Sequence, residues 1–138
     1  MLKMNQDQID TLIAAAKNVR ERAYAPYSGY RVGAAVLTSD GRVFTGCNVE
    51  NASYSLGVCA ERNAIAAAVA AGCDEFTGLV VVTASSPPAS PCGACRQVMA
   101  EFGDFPVVLA GLDGDERRTT VFDLLPEAFL PKTLLTTP

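Results

Sequence analysis

Early in the chain the apolar positions recur with the 3.6-residue period of a helix. Ile9, Leu12, Ile13, Ala16, Val19 and Ala23 fall on one stripe, and Asn5 followed by Gln8 reads as a capping-box start. Ala25-Pro26-Tyr27-Ser28-Gly29 breaks that helix. The pattern then changes: Tyr30–Leu37 and Arg42–Asn48 are strand-like and meet across Ser39-Asp40-Gly41, a hairpin signal. Asn48–Val58 has no clear period and is expected as loop. From about Ala60 to Ala71 an Ala-rich helix follows, closed by Gly72, and its seven alanines let the backbone sit close to a sheet or to another subunit. Leu79–Val82 is wholly apolar, as is Val107–Ala110, and each reads as a strand buried on both faces. Between them lie the Ser/Pro-rich stretch Ser85–Pro91 and a helix that opens near Cys92 and runs through Arg96–Phe102. Asp113-Gly114 turns the chain into a short polar strand, Glu116–Thr119. Thr120 caps a last turn through Asp123, and Pro126 ends it.

The order α-β-β-α-β-α-β-β with a short final helix points to an α/β fold. Buried central strands need helices on both faces, so the expected architecture is a three-layer α/β/α sandwich around a five-stranded mixed sheet. Both helices that begin at cysteines should start at one sheet edge, beyond strand ends, where α/β folds place ligands.

Composition narrows the function. At 138 residues, with no repeat and no linker, the chain reads as one domain, 1–138. A net charge of −4 argues against a polyanionic partner, because phosphate contacts need clustered Lys and Arg; a small neutral ligand fits better. No apolar run reaches membrane-spanning length, and the polar Met1–Asp10 points to neither a signal peptide nor a membrane helix. Five cysteines, two of them in a close C-x-x-C pair, favour reduced thiols in the cytoplasm. There is no histidine, so no imidazole serves as acid, base or ligand, and any zinc must be held mainly by sulfur.

The chemistry gathers at Cys59-Ala60-Glu61 and Pro91-Cys92-Gly93-Ala94-Cys95. A thiol at a helix start faces unpaired backbone N–H groups and the positive end of the dipole, which favours thiolate. Cys59, Cys92 and Cys95 converging from two such starts can hold a tetrahedral Zn²⁺ and leave the fourth position for water. Glu61 is placed to move that water's protons, and Arg62 beside it is the available cation to offset three thiolates; one or both of Cys92 and Cys95 are its expected partners. The arrangement matches the general pattern of zinc nucleobase deaminases, [His or Cys]-x-Glu followed by Pro-Cys-x-x-Cys.

The chain resembles the small homotetrameric cytidine deaminase family, of the type with three cysteine ligands. The likeness extends through Ala25-Pro26-Tyr27-Ser28, Val32-Gly33-Ala34-Ala35, Gly46–Tyr54, Cys59-Ala60-Glu61-Arg62, Pro91–Gln97 and Leu124-Leu125-Pro126, in family order from about residue 20 to 130. It implies one Zn²⁺ per subunit and hydrolysis of cytidine and 2′-deoxycytidine to the uracil nucleosides by a zinc-bound hydroxide. It also implies a homotetramer. By the same resemblance Asn48 and Glu50 bind the ribose hydroxyls, and the Ala60 backbone reads the pyrimidine edge. Ala52, Tyr54 and Phe129 would lie near a neighbouring subunit's site, and Gln97, like Arg62, by the thiolates. Tyr30 departs from the family, standing where a phenylalanine usually packs against the base; its hydroxyl needs a partner or water. Asn63 departs too, where Thr or an apolar residue is common.

Competing readings make different demands. A thioredoxin-like redox pair leaves Cys59 and Glu61 without work. A structural zinc needs a fourth protein ligand, from Cys47 or Cys73; otherwise those two are small buried apolar residues. Asn48 and Glu50 could equally be loop-capping groups. Deamination of a cytosine nucleoside antibiotic such as blasticidin S is the nearest alternative activity. A non-catalytic, zinc-stabilised interaction module is the alternative of another class.

Overall fold

The computed structural model describes residues 3–135; Met1, Leu2 and residues 136–138 lie outside the described residues. The elements run α1 Gln6–Arg20, β1 Gly33–Thr38, β2 Val43–Cys47, a 3-10 turn at Tyr54–Leu56, α2 Ala60–Ala70, β3 Phe76–Val82, α3 Gly93–Glu101, β4 Pro106–Ala110, β5 Glu116–Thr120, α4 Val121–Leu124 and α5 Pro131–Leu135. The strands form one sheet in the order β2-β1-β3-β4-β5. Only the β3–β4 pair is parallel among these neighbours.

Residue alternation builds the layers. Ala34, Val36, Leu79, Val81, Val107 and Leu109 point to one face, where they pack with Ala60, Ala64, Ala68, Cys95 and Met99 of α2 and α3. Ala35, Leu37, Val80, Val82, Val108 and Ala110 point to the other, against Ile9, Leu12 and Ala16 of α1. The apolar runs are therefore buried on both faces, and the expected three-layer α/β/α sandwich is what the chain forms. The N-terminus of α1 carries the capping box, with Asn5 Oδ1 accepting from Gln8 N at 2.8 Å and Gln8 Oε1 from Asn5 N at 2.9 Å.

The largest differences from the sequence reading are two strand boundaries and one added helix. β1 begins at Gly33 rather than Tyr30, because the Asn48 side chain takes the place of a strand rung there. Its Nδ2 donates to Tyr30 O at 2.8 Å and its Oδ1 accepts from Val32 N at 2.9 Å. β3 starts earlier, at Phe76, whose ring packs on Phe102 and Phe105 with centroids 4.9 and 6.0 Å away. Thr120 does cap α4, its Oγ1 accepting from Asp123 N at 3.2 Å, but a further helix, α5, follows.

Register fixes the edge that matters. Gly33 at the start of β1 pairs with Cys47 at the end of β2 and with Val82 at the end of β3. Segments leaving β2 and β3 therefore emerge side by side, and they lead to Cys59 and Cys92. Gly46 brings α2 down onto β2: a Cβ there would lie 2.5 Å from Ala60 O and 2.3 Å from Ala64 N. Asn63 fastens the same junction, its Nδ2 donating to Cys47 O at 2.8 Å.

Candidate active site

Each thiol-bearing helix begins on its cysteine. Cys59 is the N-cap of α2 and Cys92 the N-cap of α3, where its sulfur accepts from Cys95 N at 3.5 Å. The Sγ atoms of Cys59, Cys92 and Cys95 all lie within 4.8 Å of one another, and Cys59 and Cys92 are 3.8 Å apart. A tetrahedral zinc with Zn–S bonds of ~2.3 Å sets its sulfurs ~3.8 Å apart, so the spacing fits. Among the described residues this is the one group of His, Cys, Asp or Glu that could hold a metal ion.

The sulfurs' electrostatics point the same way. Cys59 is held well below the usual thiol range, to about 5, chiefly by a hydrogen bond from Cys95, with help from Arg62 and Cys92 against burial. Cys95 is pushed upward by that same hydrogen bond, by burial and by the charges of Glu61 and Cys59. Cys59 thus favours the thiolate while Cys95 resists it; a divalent cation held among the three sulfurs would relieve that conflict by offsetting most of their charge.

Arg62 serves Cys59 in addition to the expected Cys95. Its Nη2 lies 3.6 Å from Cys59 Sγ and 3.4 Å from Gly57 O. The hydrogen bond to Cys59 foremost, then the charges of Cys59 and Cys95 and a hydrogen bond to Cys95, stabilise the guanidinium against burial; Cys92 is not among its partners. The reason is helical spacing: Arg62 stands three residues into the helix that Cys59 caps, so both fall on one face. Cys47 and Cys73 stand outside the cluster. Cys73 lies at the far end of α2, ~16 Å away by helix rise, beside Arg42 and Asp40, so it is no fourth ligand.

Glu61 is the single buried charged side chain among the described residues, only 4% exposed. Burial foremost, and the negative charge of Cys59, raise its pKa, favouring a carboxyl that accepts and releases protons. It lines a cleft of about 330 Å³ together with Cys59, Cys92, Ala60, Tyr30, Asn48 and Glu50. That volume lies in the ~300–1,000 Å³ range of small-molecule sites.

The polar end of the cleft is braced from within. One oxygen of Glu50 accepts from Tyr27 N at 3.0 Å and Ser28 N at 3.1 Å, and the other accepts from the Ser28 hydroxyl. These bonds, the Ser28 hydroxyl foremost, hold Glu50 below the ordinary carboxylate range, ionised and oriented. Asn48, used on Tyr30 and Val32, is equally fixed. Both residues thus cap local backbone and line the cleft.

Four expected site residues lie elsewhere on the chain. Gln97 donates to Phe129 O at 2.8 Å rather than to a sulfur, because α3 turns it outward toward the C-terminal segment. Ala52 is exposed, Tyr54 packs edge-on against Tyr27, and Phe129 lies on the surface beside α5. Sequence reasoning gave no role to Ser28, Thr83 or Ser85. The Thr83 hydroxyl accepts from Ser85 N and Ala89 N, each at 3.4 Å, and so shapes the segment leading to Cys92. A buried hydroxyl at a strand end followed by a Ser/Pro-rich stretch was its only trace.

Residues 6–111 match the profile of the cytidine and deoxycytidylate deaminase zinc-binding region. A cytidine deaminase of Sporosarcina psychrophila is 53% identical over 123 residues, covering 88% of this chain and 90% of the relative. A probable cytidine deaminase of Dictyostelium discoideum is 46% identical over 133 residues, with 96% and 90% covered. Among solved structures, cytidine deaminase from Burkholderia pseudomallei aligns with a TM-score of 0.85 at 54% identity, over 91% of this chain and 100% of that one. The enzyme from Mycobacterium leprae aligns with a TM-score of 0.75 at 38% identity, over 91% and 100%. With its helix-capping thiols, buried glutamate and five-stranded sheet, the chain belongs to the cytidine and deoxycytidylate deaminase zinc-binding family.

Proposed function

We propose that this protein hydrolyses cytidine and 2′-deoxycytidine to uridine and 2′-deoxyuridine, consuming one water and releasing one ammonia, as a pyrimidine salvage enzyme of the cytoplasm. The observation that carries the reading is a single cleft lined by Glu61, by Cys59 and Cys92 of the three-sulfur cluster, and by the fixed pair Asn48 and Glu50. When bound, zinc supplies hydroxide from water near neutral pH.

The chain's own groups do the rest. Glu61 accepts the proton that water gives up and passes it to N3 of the cytosine ring, making C4 electrophilic; once C4 carries the new hydroxyl, Glu61 takes that hydroxyl's proton and delivers it to the departing amine. Burial raises its pKa, which favours its holding a proton between the two transfers. The Ala60 backbone, in the first turn of α2, offers a donor to the pyrimidine edge. Asn48 and Glu50 grip ribose hydroxyls at the polar end, their side chains held in advance by Tyr30, Val32, Tyr27 and Ser28. Tyr30 lies along the base. The full chain acts as one catalytic domain and assembles as a homotetramer, in which Ala52, Tyr54 and Phe129 approach a neighbour's cleft.

Ultraviolet monitoring of the purified protein with cytidine, deoxycytidine and blasticidin S tests this, with metal content measured on the same sample. Turnover of the two plain nucleosides and about one zinc per chain is the expected result. Glu61→Gln should keep its zinc and lose turnover by at least ~10²–10⁴-fold. Bound zinc without ammonia release from any nucleoside would leave only a metal-stabilised interaction module, and a preference for blasticidin S would redirect the substrate.

A further inference from the structure

The Tyr30 hydroxyl lies 2.6 Å from the Ser85 hydroxyl, across 55 residues of sequence. Tyr30 leads into β1 and Ser85 follows β3, neighbouring strands whose ends meet at Gly33 and Val82. The bond therefore spans the cleft's rim and ties two of its walls together. Tyr30 itself is anchored: its N donates to Ser28 Oγ at 3.0 Å and its carbonyl accepts from Asn48 at 2.8 Å. Ser85 lies within the segment that forms the opposite wall, where Thr83, Ala89, Ser90 and Pro91 line the cleft, and its N donates to Thr83 Oγ1 at 3.4 Å. The far end of that wall is pinned by Arg96, whose Nε donates to Pro91 O at 2.8 Å and whose Nη1 donates to Leu124 O at 2.7 Å. Its near end reaches across to the Tyr30 side through the two hydroxyls.

The wall faces a defined part of the substrate, on the reading proposed above and resting on it. The reacting carbon C4 must sit at the sulfur cluster, with N3 toward Glu61 on α2. On a six-membered ring the other neighbour of C4 is C5, which then points away from α2, toward Ala89, Ser90 and Pro91. We propose that the Tyr30–Ser85 hydroxyl pair is a specificity-determining element: it holds this wall at a fixed distance and limits the room for substituents at C5 of the cytosine ring. The pair touches neither proton transfer nor metal. Its effect falls on which cytosine nucleosides fit.

The test compares 5-methylcytidine with cytidine in the wild-type enzyme, Tyr30→Phe, Ser85→Ala and the double variant, reading kcat/KM for both nucleosides. One methyl group in a tight pocket changes kcat/KM by ~10–200-fold, so either single variant should raise the 5-methylcytidine to cytidine ratio about tenfold. Since both changes break the same bond, the double variant should raise it no further. The ratio within one variant cancels any general loss of folded or metal-loaded protein, which a merely structural role would alter equally for both nucleosides. A ratio within about twofold of wild type in either single variant, or a double variant equal to the product of the singles, overturns the pairing. Failure of the wild-type enzyme to deaminate cytidine would instead sink the underlying activity, so the two failures are distinguishable.

Discussion

Three thiolates around a divalent cation leave an excess negative charge, and Arg62 is the side chain placed to offset it. Its Nη2 reaches Cys59 Sγ, while its Nε is buried with no hydrogen-bond partner, so the guanidinium is held by that charge more than by a full set of bonds. Arg62→Gln removes the charge and keeps much of the length. Loss of a group that supports a metal ligand costs ~10–100-fold in affinity, so competition with a chelator should show zinc binding weakened by that much. Unchanged zinc affinity would mean the helix dipoles suffice. At this scale the sequence was most readable where chemistry demands a spacing: Cys59, Cys92, Cys95 and Glu61 are where they were expected. The added contact of Arg62 with Cys59 was missed although Cys59 was read as the start of α2, because the cation's partners were sought only on the other thiol-bearing helix. Also missed was the double duty of Asn48, which stands in for backbone pairing that a strand pattern alone would have assigned to Tyr30–Val32.

Elements are joined at close backbone contacts, and one of the tightest bears on the metal. Gly46 lets β2 press against the first turns of α2, where a methyl group would meet Ala64 N at 2.3 Å and Ala60 O at 2.5 Å. Backbone cannot rotate away, so Gly46→Ala should push the helix start, and Cys59 with it, out of register with Cys92. Overpacking of this kind costs roughly 2–3 kcal/mol, which lowers the thermal midpoint by about 10 °C in a chain this size. Zinc should also be lost faster to a chelator. Gly72→Ala is the control: its φ of +91° strains alanine, yet nothing lies within 4 Å, so it should destabilise without loosening zinc. An equal effect of both variants on metal retention would refute the link between this contact and the site. Helix α1, the hairpin, both buried strands and the cysteine-capped helices were legible from periodicity and caps. Helix α5 was not, because Pro131–Leu135 is too short to show a period.

At the scale of the whole molecule, the apolar surface is the unresolved debt of a single chain. Tyr54, Leu56, Phe129, Leu134 and Leu135 are each more than half exposed, and Tyr27 and Tyr54 pair edge-on with ring centroids 5.9 Å apart. Sequence periodicity separates inside from outside within one chain but gives no sign of which outside faces meet a copy, so the tetramer rested on resemblance alone. Of these residues Tyr54 and Phe129 have a proposed role at a neighbour's cleft, and neither lines the cleft above Glu61 in its own chain. That division can be tested by complementation. Light scattering should return four times the 14.5 kDa chain mass. Phe129→Ala should lose activity by at least ~tenfold if the ring closes a neighbouring site. Coexpressing it with Glu61→Gln then gives mixed tetramers, in which about a quarter of sites combine an intact Glu61 with an intact Phe129 from the adjoining chain. Activity should reappear in the mixture although each parent is impaired, and it should disappear when the subunits are kept apart. A monomeric mass, or a mixture no more active than the average of its parents, would show that Phe129 serves no neighbour.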